Sequence, residues 1–305
     1  MHYGRTPLAR TLLAFVVCSA LAACGAGDDA SDAVDGMATA PALPPGAQAI
    51  SFLGDTLYPP DQPAEVREVY EARLAEAQDA LLNAPEDADA LIWMGRRTAY
   101  LGQYREAIEI YTNAAALHPD DARIYRHRGH RYLTVRETDN AIADFERAAA
   151  LVAGQPDEIE PDGLPNSINQ PLSTLQFNIW YHLALAHYVE GRFEEALEAQ
   201  RRCLEVSTNS DLLVATSYWL YMTLARLGRA EEAAEVLEGI SADMEIIEND
   251  SYYQLLRLFK GDRMLEDVVG PGDDVTLAST TTAYGVGAWH LLEGRSDEAH
   301  ATWEG

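Results

Sequence analysis

The sequence predicts an all-α solenoid of stacked antiparallel helix pairs, and three observations predict it. Gly95, Ala107, Tyr111 and Ala114 recur 34 residues further on as Gly129, Ala141, Phe145 and Ala148. A fixed period of that size marks one helix-pair unit that buries its apolar face only against its neighbours, so copies must stack. Within each unit the small residues stand where two helices approach, and the aromatic and second alanine follow at helical spacing along the second helix. Finally, Gly228, Gly261 and Gly294 continue a spacing of 33 toward the end of the chain. An array grows by addition, so 305 residues need not mean one or two ordinary domains.

The units resemble the tetratricopeptide repeat. Leu91, Met94, Gly95, Gly102, Tyr104, Ala107, Tyr111, Ala114 and Pro119 fit its pattern in the first unit; Tyr125, Gly129, Tyr132, Ala141, Phe145 and Ala148 fit it in the second. The second departs at Arg128, where leucine is usual, and at Arg136, where the turn glycine is usual. The runs RHRGHRY, EPDGLPN and FNIWYHL are similar to stretches of bacterial tetratricopeptide-repeat proteins. The resemblance implies a right-handed superhelical solenoid and a protein-binding scaffold, with no established activity.

Taken in order, residues 1–23 read as a lipoprotein signal peptide: Arg5 and Arg10 precede LLAFVVCSALAA, and Leu21-Ala22-Ala23-Cys24-Gly25 resembles a bacterial lipobox. Cys24 is then the lipidated residue, and Gly25 after it resembles the outer-membrane sorting pattern. The alternative is cleavage near Ala23 to release a soluble protein. The apolar run is shorter than the ~20 residues a membrane span needs. Residues 24–49, rich in Gly, Ala, Pro and Asp, read as a disordered tether. Residues 50–87 hold an extended lead-in broken by Pro59, Pro60 and Pro63, with Phe52, Leu53 and Leu57 expected against the first helix, then a capping helix over 64–83. Two repeats occupy 88–153. A Pro, Gly and acid-rich insertion follows at 154–173, two repeats at 174–246, a degenerate unit at 247–278, and an incomplete last unit at 279–305. The final helix stops before its last turn, which suggests a truncated polypeptide or completion by a partner.

The formal charge of −27 argues against nucleic acid or anionic lipid as a partner of the surface. The membrane is expected to be met through the N-terminal lipid only. Of three cysteines, Cys18 leaves with the signal, Cys24 carries lipid, and Cys203 is left as a packed thiol without a disulfide partner. No G-x-S-x-G, GxxxxGK[ST], GxGxxG, HExxH or paired CxxC motif occurs, so no enzymatic activity and no cofactor are expected. His127 with His130, and His182 with His187, share helices, but a metal site needs three or four convergent ligands, so none is expected. Asp157, Glu158, Glu160 and Asp162 do not have the spacing of an EF-hand loop.

In solenoids of the family it resembles, the first helix of each pair lines the concave groove. The face opposite the packing positions carries Arg96, Tyr100, Arg123, Arg126, His130, Asn178, Tyr181, Tyr188, Tyr218, Met222, Arg226 and Tyr284. Planar guanidinium donors and rigid tyrosines suit a protein or peptide partner with an acidic or C-terminal segment. The same arginines could instead pair with local Asp and Glu. A different function reads the chain as a periplasmic sensor or carrier of a small anionic or aromatic ligand, with the 152–174 loop as lid. A long open groove would favour the first, and a closed cavity under the loop the second. Arg128 is expected to find a carboxylate from a neighbouring helix or from the 157–162 loop.

Overall fold

The computed structural model describes residues 43–269 and 276–304. The expected signal peptide, Cys24 and most of the expected tether lie outside the described residues. Residues 43–49, assigned to the tether from sequence, belong to the folded body: Ala47 and Ala49 are buried, and Ala47 N–H closes a turn on Pro44 O at 3.0 Å.

The lead-in forms a small antiparallel hairpin, β1 (Ala49–Ile50) with β2 (Thr56–Leu57), closed by Ser51 N–H to Asp55 O at 2.7 Å. Phe52 and Leu53, expected against the first helix, sit at its tip and are 61% and 92% exposed. The turn that closes the strands is what turns them outward. The hairpin is fixed instead by polar contacts: Arg105 donates Nε–H to Gln48 O at 2.7 Å, and Gln62 donates to Tyr100 O at 2.7 Å.

Thirteen helices follow among the described residues. Helix α1 (Ala64–Asn83) packs on α2 (Ala88–Tyr100), which pairs with α3 (Tyr104–Leu117). The next pairs are α4 (Ala122–Thr134) with α5 (Thr138–Val152), α6 (Leu175–Val189) with α7 (Phe193–Glu205), and α8 (Ser210–Arg226) with α9 (Ala230–Glu238). Helix α10 (Asp250–Lys260) is followed only by the four-residue α11 (Leu265–Val268), and α12 (Leu277–Leu292) pairs with α13 (Ser296–Glu304). First helices touch in succession, α2 on α4, α4 on α6, α6 on α8, α8 on α10 and α10 on α12. The fold is all-α and solenoidal, with the core divided into clusters between adjacent pairs.

Local chemistry starts and stops these helices. Asp87, Asp121, Thr174, Asn209 and Thr276 each accept a backbone N–H at the start of a first helix, a cap that contributes about 1 kcal/mol. The first two pairs then approach through a glycine: a Cβ on Gly95 would lie 2.5 Å from the Tyr111 ring, and one on Gly129 3.0 Å from the Phe145 ring. Arg136, which stands where the other turns carry glycine, takes φ +65°. Its guanidinium offsets that unfavourable conformation by capping α4, donating to Leu133 O at 3.2 Å and Thr134 O at 3.0 Å. None of the described helices is long and apolar enough to cross a membrane.

Candidate ligand-binding cavity

The insertion between α5 and α6 is ordered by its own polar side chains. Residues 158–160 run antiparallel to 173–175, with Leu175 N–H on Glu158 O at 2.8 Å and Glu160 N–H on Ser173 O at 3.0 Å. Asn166 holds the far turn, accepting N–H from Ile168 and Gln170 and donating to Gln170 O and to the Glu248 carboxylate at 2.6 Å each. Its close ends and internal packing make it a compact surface loop of the kind often used functionally.

This loop lies across the first helices of the first three pairs. Glu160, with its side chain 10% exposed, reaches 2.9 Å from Arg126 Nε, accepts from Asn178 Nδ2 at 3.1 Å, and stands 3.7 Å from His127 Nε2. Arg96 donates to Pro161 O at 2.9 Å, and Arg97 and Arg73 donate to Gly163 O at 3.0 and 3.4 Å. Gly163 is required by close approach, since a Cβ there would overlap the Tyr100 hydroxyl and sit 2.8 Å from Arg96 Nη2. A cavity of about 120 Å³ remains beneath the loop, walled by Arg96, Arg126, Arg131, His127, His130, Tyr100, Tyr111 and Glu160.

Hydrogen-bond roles here follow from the donor-only chemistry of arginine. Arg126 Nη1 donates to His127 Nδ1 at 2.9 Å, so that ring carries its proton on Nε2, the nitrogen facing Glu160. The Arg126 Nε contact with Glu160 is a charge contact off the N–H axis, and this buried N–H has no acceptor. His182 Nδ1 donates to Asn178 O at 2.6 Å, and its ring lies 4.3 Å from that of His130. Burial first, and the guanidiniums around them second, hold His127 and His130 well below the ordinary histidine range and push His182 down to about 3. All three rings are therefore neutral at pH 7.

The structure corrects the expected open groove. Arg96, Tyr100, Arg126, His130 and Asn178 are brought together, but beneath the chain's own loop; Arg126 is only 8% exposed. Arg123 points elsewhere, clamped by Asp121 at 2.6 Å and by Asp89 at 2.6 Å beside an open cleft of about 560 Å³. Tyr188, Tyr218 and Met222 are core residues, because α10 and α12 close over that face, and Tyr181 and α12's own Tyr284 pack partly buried against the core. Tyr218 is 0% exposed and stacks on Tyr252 at 4.7 Å; Tyr181 bonds to Tyr252 and Trp219, and Tyr188 to Tyr284. Only Arg226 of this set stays exposed, bonded to the Tyr188 and Tyr284 hydroxyls.

Arg128 takes the first of its two expected partners: Asp144 on α5 accepts Nε and Nη2 at 2.8 and 2.7 Å. The loop carboxylate goes to Arg126 instead. The residues that sequence reasoning missed are His127, Arg131, Glu160 and Gly163; the signal was the density of cations in residues 124–133 facing an acidic insertion. No group of three or more His, Cys, Asp or Glu side chains is placed to hold a metal among the described residues. Cys203 is buried, and burial pushes its thiol up to about 12.

Tetratricopeptide-repeat profiles match residues 94–156 and 177–210. A curated relative, the small glutamine-rich tetratricopeptide repeat-containing protein 2 of Saccharomyces cerevisiae, is 28% identical over 138 residues, covering 43% of this chain and 34% of that protein. The chain thus spans about a third of the length of the curated relative it matches. Among solved structures, MamA is similar at 16% identity, with 65% of this chain and 92% of that chain covered and a TM-score of 0.44. YrrB, described as a TPR protein with an unusual peptide-binding site, is similar at 16% identity, with 75% and 89% covered and a TM-score of 0.43. MamA from Desulfovibrio magneticus RS-1 gives 19% identity, 56% and 84% covered, and a TM-score of 0.44.

Proposed function

We propose, from the premise that this chain is a tetratricopeptide-repeat protein, that it is a non-catalytic interaction scaffold whose inner arginines recognise an acidic, extended segment of a protein partner. The observation that carries this reading is the mode in which residues 158–163 are held. Glu160 meets Arg126 and Asn178, while the backbone carbonyls of Pro161 and Gly163 are read by Arg96, Arg97 and Arg73. An acidic extended segment is thus already bound, and it is the chain's own. A partner segment of the same chemistry competes with it, and the insertion acts as a built-in competitor at the high effective concentration of an intramolecular ligand.

The experiment is a fluorescence-anisotropy titration with a labelled peptide of residues 157–166. A Gly163→Val variant, whose side chain collides with Tyr100 and Arg96, frees the arginines from the resident segment. The expected result is binding to this variant at least tenfold tighter than to the native chain, weakened again by Glu160→Gln in the peptide. Equal affinity for both chains, or binding to neither, refutes the reading.

The cavity under the loop favours a second reading, a sensor or carrier of a small ligand. Its charged walls and volume of about 120 Å³ favour an anion over an aromatic ring. For location, Leu21–Gly25 supports lipid attachment at Cys24 on the periplasmic face of a bacterial outer membrane. Metabolic labelling with an alkyne fatty acid tests this; a Cys24→Ala chain that still takes up label refutes it.

A further inference from the structure

We propose that the cavity beneath the insertion is a binding site for a small divalent tetrahedral oxyanion, inorganic phosphate or sulfate. The argument begins with charge. Three guanidiniums, Arg96, Arg126 and Arg131, face the cavity, and Glu160 is the one carboxylate that lines it. The neighbouring rings of His127, His130 and His182 are neutral, and the Asp162 carboxyl beside Arg96 is the other acid close by, which leaves positive charge in excess around the cavity. Charges held away from water without compensation cost several kcal/mol each, so a buried set of this kind calls for an anion of matching charge.

Hydrogen bonding points the same way. Arg126 is buried in the wall of this space, and its Nε–H, although 2.9 Å from the Glu160 carboxylate, makes no hydrogen bond. Among the described residues no carboxylate or carbonyl pairs with the Arg131 guanidinium, which stands 5.7 Å from the Tyr104 ring centre. Arginine offers donors only, the lone pair of His127 Nδ1 is already taken by Arg126 Nη1, and the Tyr100 and Tyr111 hydroxyls add two groups able to donate. A site of converging donors with few free acceptors fits an oxyanion, whose oxygens mostly accept. Guanidinium forks match the oxygen spacing of a phosphate-type ion. The volume of about 120 Å³ corresponds to roughly four waters at ~30 Å³ each. That admits a tetrahedral oxyanion.

This site exists with the insertion in place. It rests on the second reading above, of a small-anion carrier, and not on a partner segment displacing the loop, so the scaffold reading and this one can fail separately. The test titrates the native chain with sodium phosphate or sodium sulfate, sodium chloride holding ionic strength constant, and follows arginine Nε–H resonances by NMR together with the heat of binding. Saturable one-to-one binding is expected, with Arg126 and Arg131 signals shifting and that of the exposed Arg67 unmoved. Arg131→Met is expected to weaken binding at least tenfold. Acetate is expected to produce no saturable change. Absence of saturation, undiminished affinity in a folded Arg131→Met chain, or acetate binding as tightly as sulfate overturns the proposal. If Arg131→Met does not fold, the side-chain shifts in the native chain decide alone: Arg67 moving with Arg126 and Arg131 overturns it.

Discussion

Lowering the pH from 7.5 to 5.5 is expected to destabilise the fold through three histidines. His127, His130 and His182 are held below the ordinary value of 6.5 by burial, with Arg96, Arg123, Arg126 and Arg131 adding repulsion, opposed by Glu160 beside His127 and by the Asn178 carbonyl that His182 bonds. Below pH 6.5 the unfolded chain takes up protons that the native chain refuses, so stability is fully present above 6.5 and is lost as the pH falls. One pH unit below the unfolded value, each neutral histidine forfeits about 1.4 kcal/mol, and three of them about 4 kcal/mol at pH 5.5. For His182 the loss continues down to about pH 3. That is a large part of the 5–15 kcal/mol typical of a domain. Burial also pushes the carboxyls of Asp144 and Asp162 up, which acts in the opposite sense. The measurement is therefore a difference: urea midpoints by circular dichroism at pH 7.5, 6.5 and 5.5, for the native chain and for His182→Leu. The variant should lose about a third of the pH dependence. Equal stability of the native chain at 5.5 and 7.5, or an unchanged slope in the variant, refutes the reasoning.

Asp144→Ala leaves the Arg128 guanidinium buried without its carboxylate and is expected to cost ~3–5 kcal/mol, whereas Arg128→Leu with Asp144→Ala restores an apolar contact and should lie within ~1 kcal/mol of native in urea denaturation. Asp211, 3% exposed, gathers the backbone N–H groups of Ile247, Glu248 and Asn249 at 2.7–3.2 Å. Asp211→Asn turns a donor toward them and should cost about 2 kcal/mol or more, with faster hydrogen exchange confined first to 247–249. Glu160→Gln removes the carboxylate that anchors the insertion, so limited proteolysis should cut within 157–166 before any cut in the helices. The buried Cys203 thiol, pushed up to about 12, should remain unalkylated by iodoacetamide at pH 8 until the chain is unfolded, as read on its tryptic peptide.

What could be read from sequence was whatever two adjacent helices decide between themselves. Gly95 against Tyr111 and Gly129 against Phe145 are short-range fits, and their spacing of 34 announces them. Arg128 was legible as a buried charge because it stands in a leucine position, and the carboxylate it needs lies on the paired helix. Arg126 and Tyr218 were not legible, since a helical face shows only that it is not used within its own pair. Whether water, a loop or another helix covers it depends on parts of the chain far away: Glu160 for Arg126, Tyr252 and Phe259 for Tyr218. Likewise the role of Asp211 is not legible in sequence, because the backbone groups it satisfies come from 36 to 38 residues later.

Arrays of this kind ordinarily come apart piecemeal, since each unit is coupled only to the next. The insertion breaks that rule. It is bonded to Arg73 on α1, to Arg96 and Arg97 on α2, to Asn178 on α6 and, through Asn166, to Glu248 just ahead of α10. A single strap therefore ties α1 through to the start of α10, and unravelling within that span must break bonds to units that are still intact. The stack should melt as one cooperative block from α1 to α10, and cutting the strap should divide one transition into two.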